Sequence, residues 1–89
     1  MYVWSATEVY RYTDKDGTEK IYKSSDYFTS KAKAIKDVEF MNSIREVELD
    51  RDDYGESLIC FVAMTPFSFT ANQQEHRLIN IDVERIRVN

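Results

Sequence analysis

Hydrophobic and polar positions alternate over residues 2–13. Tyr2, Trp4, Ala6, Tyr10 and Tyr12 fall on one side and Val3, Ser5, Thr7, Val9 and Arg11 on the other. Period-2 alternation rich in aromatic and β-branched residues predicts a strand. A second strand is predicted over residues 18–24, and the intervening TDKDGTE reads as a hairpin loop. Asp14 opens a type I turn and Gly17 takes the left-handed position, giving a three-residue loop with a bulge. That loop sets Tyr10 opposite Tyr22, with Val9 and Ile21 sharing the other face. A two-residue loop at Asp16-Gly17 shifts the register and moves Ile21 to the side of the tyrosines. Periodicity leaves both registers open.

The same stretch resembles the start of a calcium loop, but its spacing fails. Counting from Asp14, the sixth position, where the sharp turn needs glycine, is Glu19, and the twelfth, which needs a bidentate glutamate, is Ser25. The expectation is a turn with no calcium response.

Thr29 or Ser30 can cap a helix whose apolar stripe is Ala34, Ile35, Val38 and Met41. Extending it through Val47 would put apolar residues at strict three-residue steps, a row that rotates off any single face. REVELD alternates charge with Val47 and Leu49, so the helix is predicted to end near Asn42 and a strand to span 44–50. Asp52-Asp53-Tyr54-Gly55 makes the next turn. ESLICFVAMTPFSFT is an unbroken apolar run that predicts a central strand, with Pro66 marking a bulge, a bend or a free edge. TANQQEH reads as a polar connection. In the final strand Ile79, Ile81 and Val83 share a face before Ile86 and Val88 change phase, which predicts a bulge near Glu84-Arg85. The sum is a single α+β domain over 1–89. An antiparallel sheet of four to five strands packs one helix on one face, in the order β-β-α-β-β-β.

Composition narrows the class of function. The chain has 89 residues, one cysteine and no stretch of apolar residues long enough to span a membrane. A lone Cys60 in an apolar run argues against a disulfide and a reactive thiol, and for a reducing, cytoplasmic setting. MYVWSATEVY has neither the basic start nor the apolar run of a signal peptide. The net charge of −4 weighs against general affinity for a nucleic-acid backbone. The charge is uneven: residues 37–56 hold two basic and eight acidic side chains.

Catalytic material is sparse. The only histidine, His76, falls in the polar connection; one Cys and one His cannot build a tetrahedral zinc site. Gly17 and Gly55 are too far apart for a phosphate loop. No enzyme activity, metal or cofactor is expected. Two features remain. The first is the acidic run Glu46, Glu48, Asp50, Asp52, Asp53 and Glu56. It is either a solvated edge and turn that blunts aggregation or a negative surface for a basic groove, in place of nucleic-acid phosphates. The second is the aromatic set Tyr10, Tyr12 and Tyr22 with Trp4. These rings are either core beneath the helix or a sheet face that binds protein or stacks bases. Trp4 reads as core. In the three-residue-loop register Arg11 and Lys23 lie on the opposite face from the tyrosines, which leaves a stacking platform short of cations.

The early hairpin followed by YFTSKAKAIKD, over about residues 8–40, resembles small early proteins of tailed bacteriophages. That resemblance implies a protein that binds and inhibits or redirects a host or antiviral enzyme, and it assigns no residue a role. The leading expectation is a non-enzymatic protein-binding module acting through the acidic run. The alternative is a nucleic-acid-binding module using the tyrosine face. Pairing of two copies about a twofold axis is a further expectation, with the Ile79-Ile81-Val83 row as the seam.

Overall fold

In the computed structural model, which describes residues 1–89, the alternating N-terminal segment is strand β1, Tyr2–Thr13. It turns through Lys15-Asp16-Gly17 into β2, Glu19–Phe28. Gly17 sits at φ 80°, and its N–H bonds the Asp14 carbonyl at 3.1 Å. Asp14 Oδ1 accepts the N–H groups of Asp16 and Thr18, both at 2.9 Å. That is the three-residue loop, and Tyr10 stands opposite Tyr22 as it requires.

Helix α1 spans Lys31–Arg45, with Ser30 accepting from the Lys33 N–H at 3.2 Å as N-cap. It runs one turn beyond the Asn42 stop expected from the sequence. The chain reverses at Glu46, which holds φ 57°, with the Val47 N–H bonded to the Asn42 carbonyl at 2.9 Å. This is a left-handed helix stop without its usual glycine. The strand expected at 44–50 therefore contracts and shifts to β3, Leu49–Asp53. Val47 keeps an inward position as a half-buried residue packed on the core.

The remaining chain forms β4 (Leu58–Ala63), β5 (Ser68–Ala71) and β6 (Gln74–Arg87). The sheet thus has six strands rather than four to five, and the element order gains a strand. The order across the sheet is β2-β1-β6-β4-β3, with β5 also on β6 and every pairing antiparallel. Pro66 accounts for the extra strand. It follows the bend at Met64-Thr65 that breaks the apolar run, so β4 and β5 are two pieces of one arm lying along the long β6. Residues expected to be a polar connection instead close the β5–β6 hairpin. Asn72 and Gln73, at φ 52° and 65°, form its two-residue turn.

The bulge expected near Glu84-Arg85 lies instead at Ile79, where the β1–β6 register slips between Val9↔Asn80 and Tyr10↔Leu78. The slip moves the inward phase of β6 from His76 and Leu78 to Ile81 and Val83, all buried. Ile79 is the unpaired bulge residue, half-buried and outside the core that Ile81 and Val83 fill. β6 is the centre of the sheet, paired on both sides, so its apolar row cannot be the seam between two copies.

The core lies between α1 and one face of the sheet. Ala6 and Tyr10 from β1, Ala34 and Val38 from α1, Ile59 and Phe61 from β4, and Leu78, Ile81 and Val83 from β6 fill it. Ile59 and Val83 are wholly enclosed opposite each other. Truncating either to alanine costs about 2–4 kcal/mol in a core this small. No helix is long and apolar enough to cross a membrane.

Candidate functional site

Because side chains alternate along strands, the cross-strand register assigns each residue to the helix-bearing face or to the open face. The row Asp52–Cys60–Asp82–Thr7–Ser25 crosses the open face, one residue from each of β3, β4, β6, β1 and β2. The flanking rows are Asp50–Val62–Asn80–Val9–Lys23 and, on the other side, Leu58–Glu84–Ser5–Tyr27. Asp50 and Asp52 therefore share a face with Asp82 and Glu84, two acids from a strand about 10 Å away. None of the four is ion-paired. The four salt bridges of the molecule are Arg11–Glu19, Lys20–Asp14, Arg45–Glu8 and Arg51–Asp53.

The acidic run is thus divided by the fold. Asp50 and Asp52 are exposed on the open face. Asp53 alternates to the helix side, where Arg51 Nε donates to its Oδ1 at 2.8 Å. That bond holds the Asp53 carboxyl below its ordinary range and raises the Arg51 guanidinium. Glu46 is the helix stop, Glu48 lies exposed before β3 with its N–H on Thr65 Oγ1 at 2.7 Å, and Glu56 is exposed in the β3–β4 turn.

Neighbouring groups register the charge at this corner. The Tyr54 phenol is pushed above its usual value, first by the charge of Asp52 and then by its hydrogen bond to that residue, 3.3 Å from hydroxyl to Oδ2. The Cys60 thiol is pushed up to about 11, by burial first and then by the hydrogen bond and charge of Asp82. Cys60 is half-buried on the open face rather than in the core, and it stays protonated at neutral pH. Cations gather at the far end of the same face: Arg11 stands directly opposite Arg77, and Arg11 Nε reaches Glu19 at 2.9 Å. Both arginines line a polar cleft of about 780 Å³ between the two hairpin ends.

The tyrosines lie on the helix-bearing face, opposite in sense to Arg11 and Lys23. Tyr10 is core, 2% exposed, and donates to Glu8 Oε2 at 2.6 Å. Tyr12 stacks on the His76 ring with centroids 4.3 Å apart, and Phe69 stacks on His76's other side at 4.8 Å. Tyr22 meets both Phe69 and His76 edge-on, at 6.2 and 5.9 Å. His76 is therefore a buried member of an aromatic cluster and not a loop residue; its Nδ1 lies 3.0 Å from the Gln74 carbonyl. Trp4 packs at the core margin, with Lys31 Nζ 5.6 Å from its ring centroid.

Asp82 and Glu84 are the site residues that sequence reasoning missed. Their signal is alternation in INIDVERI, where acids occupy positions opposite the buried Ile81 and Val83. No group of three or more His, Cys, Asp and Glu side chains converges so as to hold a metal ion. No protein-family profile, curated protein or solved structure matches this chain.

Proposed function

We propose that this chain is a non-enzymatic binding protein whose open sheet face, at the corner formed by Asp50, Asp52, Asp82 and Glu84, engages a basic groove on a protein partner. One observation carries the reading: the register brings two acids of β3 and two of β6 to one face, and no cation of the chain pairs with any of them. Unpaired carboxylates on a sheet are fixed in relative position by backbone ladders, as phosphates are by a nucleic-acid backbone. A groove built for phosphates would accept them, and long-range attraction would steer the encounter. The resemblance of residues 8–40 to small early phage proteins favours a host or antiviral enzyme as that partner.

The tyrosine reading has less support. Of Tyr10, Tyr12 and Tyr22, the first is enclosed and the second is spent on His76, so three free stacking rings are not on offer. The test is affinity capture from bacterial lysate with identification by mass spectrometry. Capture is compared between the intact chain, the triple variant Asp50→Lys, Asp52→Lys, Glu84→Lys, and a control reversing Lys31, Lys33 and Lys36 to Glu. A partner kept by the control and lost by the triple variant supports the reading. A partner retained by a folded triple variant refutes it.

A further inference from the structure

Three strands have a free edge, β2, β3 and the four-residue β5, and they are built differently. β3 has five residues, LDRDD, four of them charged, which blunts that edge against pairing. β2 has ten residues in unbroken register with β1, without proline or bulge. It leaves Ile21, Tyr22 and Tyr27 respectively 52%, 46% and 66% exposed.

The direction of its free backbone groups follows from the hairpin. The Asp14 N–H bonds the Thr18 carbonyl across the loop at 2.9 Å. Hydrogen-bonded and non-bonded pairs alternate from there. Tyr22, Ser24 and Asp26 thus turn their backbone groups to β1. Glu19, Ile21, Lys23, Ser25 and Tyr27 turn their N–H and C=O groups to the empty side.

We infer that a second copy of this chain adds to this edge, antiparallel, about a twofold axis passing through Ser24 perpendicular to the sheet. Such an axis preserves the two faces, so a residue can meet only residues of its own face. Centred on Ser24, Ile21 meets Tyr27 and Lys23 meets Ser25, each pair formed twice with two N–H···O bonds. The exposed Ile21 and Tyr27 cover each other on the open face. Tyr22 stands opposite Asp26 on the helix side. Neighbouring registers are worse. Centring on Lys23 places two lysines in direct opposition, and centring on Ser25 leaves Ile21 beyond the end of the partner strand. The Ser24 register pairs Ile21, Lys23, Ser25 and Tyr27 without opposing like charges and leaves out only Glu19, which falls opposite Thr29 past the end of the strand. The β2 edge is separate from the acidic corner, which lies on β3 and β6.

Light scattering of the intact chain up to millimolar protein tests the state, and cysteine pairing tests the register. Ser24→Cys, placed in a Cys60→Ala background, brings two thiols into a non-bonded pair about 4.5 Å apart at Cα, within disulfide reach. It is expected to give a covalent dimer on mild oxidation. Lys20→Cys in the same background faces Phe28 and is expected to stay unlinked. Ser25→Pro removes an outward N–H without touching the β1 ladder, and Tyr27→Lys removes the apolar pair; each is expected to yield a folded monomer by circular dichroism and light scattering. An intact chain that remains monomeric at all concentrations overturns the inference, as does a dimer unaffected by both edge variants. Equal crosslinking from Lys20→Cys and Ser24→Cys, or an edge that takes up only a foreign strand, overturns it as well.

Discussion

Arg45, in the last turn of α1, donates from Nη1 to Glu8 Oε1 on β1 at 2.7 Å, across 37 residues of sequence. The other carboxylate oxygen of Glu8 takes the Tyr10 hydroxyl. The helix is thus tied to the sheet by one carboxylate serving two donors, and the Arg45 guanidinium also lies 4.8 Å over the Phe67 ring. Burial is the largest single effect on Arg45 and opposes its charged form, but the hydrogen bond and charge of Glu8, with those of Tyr10, together outweigh it and leave the guanidinium pKa raised.

This group gives stability a pH signature. Burial, then the hydrogen bond and charge of Glu8, push the Tyr10 phenol well above the ordinary value. A raised folded-state value means the unfolded chain releases its proton first. The contribution is complete below the unfolded value of about 10 and is lost as pH climbs toward the folded one. Urea unfolding between pH 9 and 12 is expected to show a steeper fall for the intact chain than for Tyr10→Phe. At pH 7 Tyr10→Phe loses about 1–2 kcal/mol and Arg45→Ala about 2 kcal/mol, the latter leaving Glu8 half-buried without its cation. Parallel slopes for the intact chain and Tyr10→Phe would remove Tyr10 from this account.

Three left-handed positions carry side chains; Asn72 is of the type that tolerates this conformation, and the other two are not. Glu46 stops α1 at φ 57°, and Gln73 is the second turn residue of the β5–β6 hairpin at φ 65°. A left-handed L-residue costs about 1–2 kcal/mol, partly offset by the greater unfolded-state entropy of glycine. Glu46→Gly and Gln73→Gly are each expected to raise stability by about 0.5–1 kcal/mol, or several degrees in Tm for a chain of this length. Calorimetry of the single variants and the pair checks this, with additive gains because the sites share no partner.

The same two positions explain what the sequence concealed. The first hairpin was legible because Asp14 and Gly17 carry its turn chemistry openly. The helix end and the β5–β6 turn were not, since Glu46 and Asn72-Gln73 give no glycine signal. The bulge at Ile79 was hidden by apolar residues in both phases, Leu78 and Ile79 before Ile81 and Val83. The acidic corner needed pairings between β3, β4 and β6 that no local pattern encodes. Periodicity could mark Asp50 and Asp52 as neighbours, but only the long-range register joins them to Asp82 and Glu84 and sends Asp53 to the other side.

Asn42 offers a separate stability test. It is 4% exposed in the last turns of α1, with Nδ2 donating to the Val38 carbonyl at 2.6 Å and Oδ1 buried without a partner. A buried acceptor lacking a donor costs about 1–3 kcal/mol. Asn42→Leu, of similar size and better helix propensity, is expected to stabilise by about 1 kcal/mol in urea unfolding. A loss of stability would show that the amide has a donor in solution, such as water entering the groove beside Leu49 and Phe61.

The acidic corner predicts how binding responds to salt. Exposed charges separated by more than a Debye length, about 8 Å at physiological ionic strength, are largely screened from one another. Added salt therefore shortens the range over which the corner can draw in a basic groove. Once a partner is captured, raising salt is expected to slow association several-fold while dissociation changes little. Asp50→Lys, Asp52→Lys and Glu84→Lys together should abolish the salt dependence along with binding. The fold should persist, because these exposed side chains take no part in a salt bridge and surface charges contribute little to stability. Asp53→Lys is the informative contrast. Asp53 belongs to the acidic run by sequence but is paired with Arg51 on the helix side, so its reversal should leave the association rate nearly intact. Surface plasmon resonance across a salt series measures both. An Asp53 effect equal to that of Asp52 would mean that charge density, not the open face, directs the encounter.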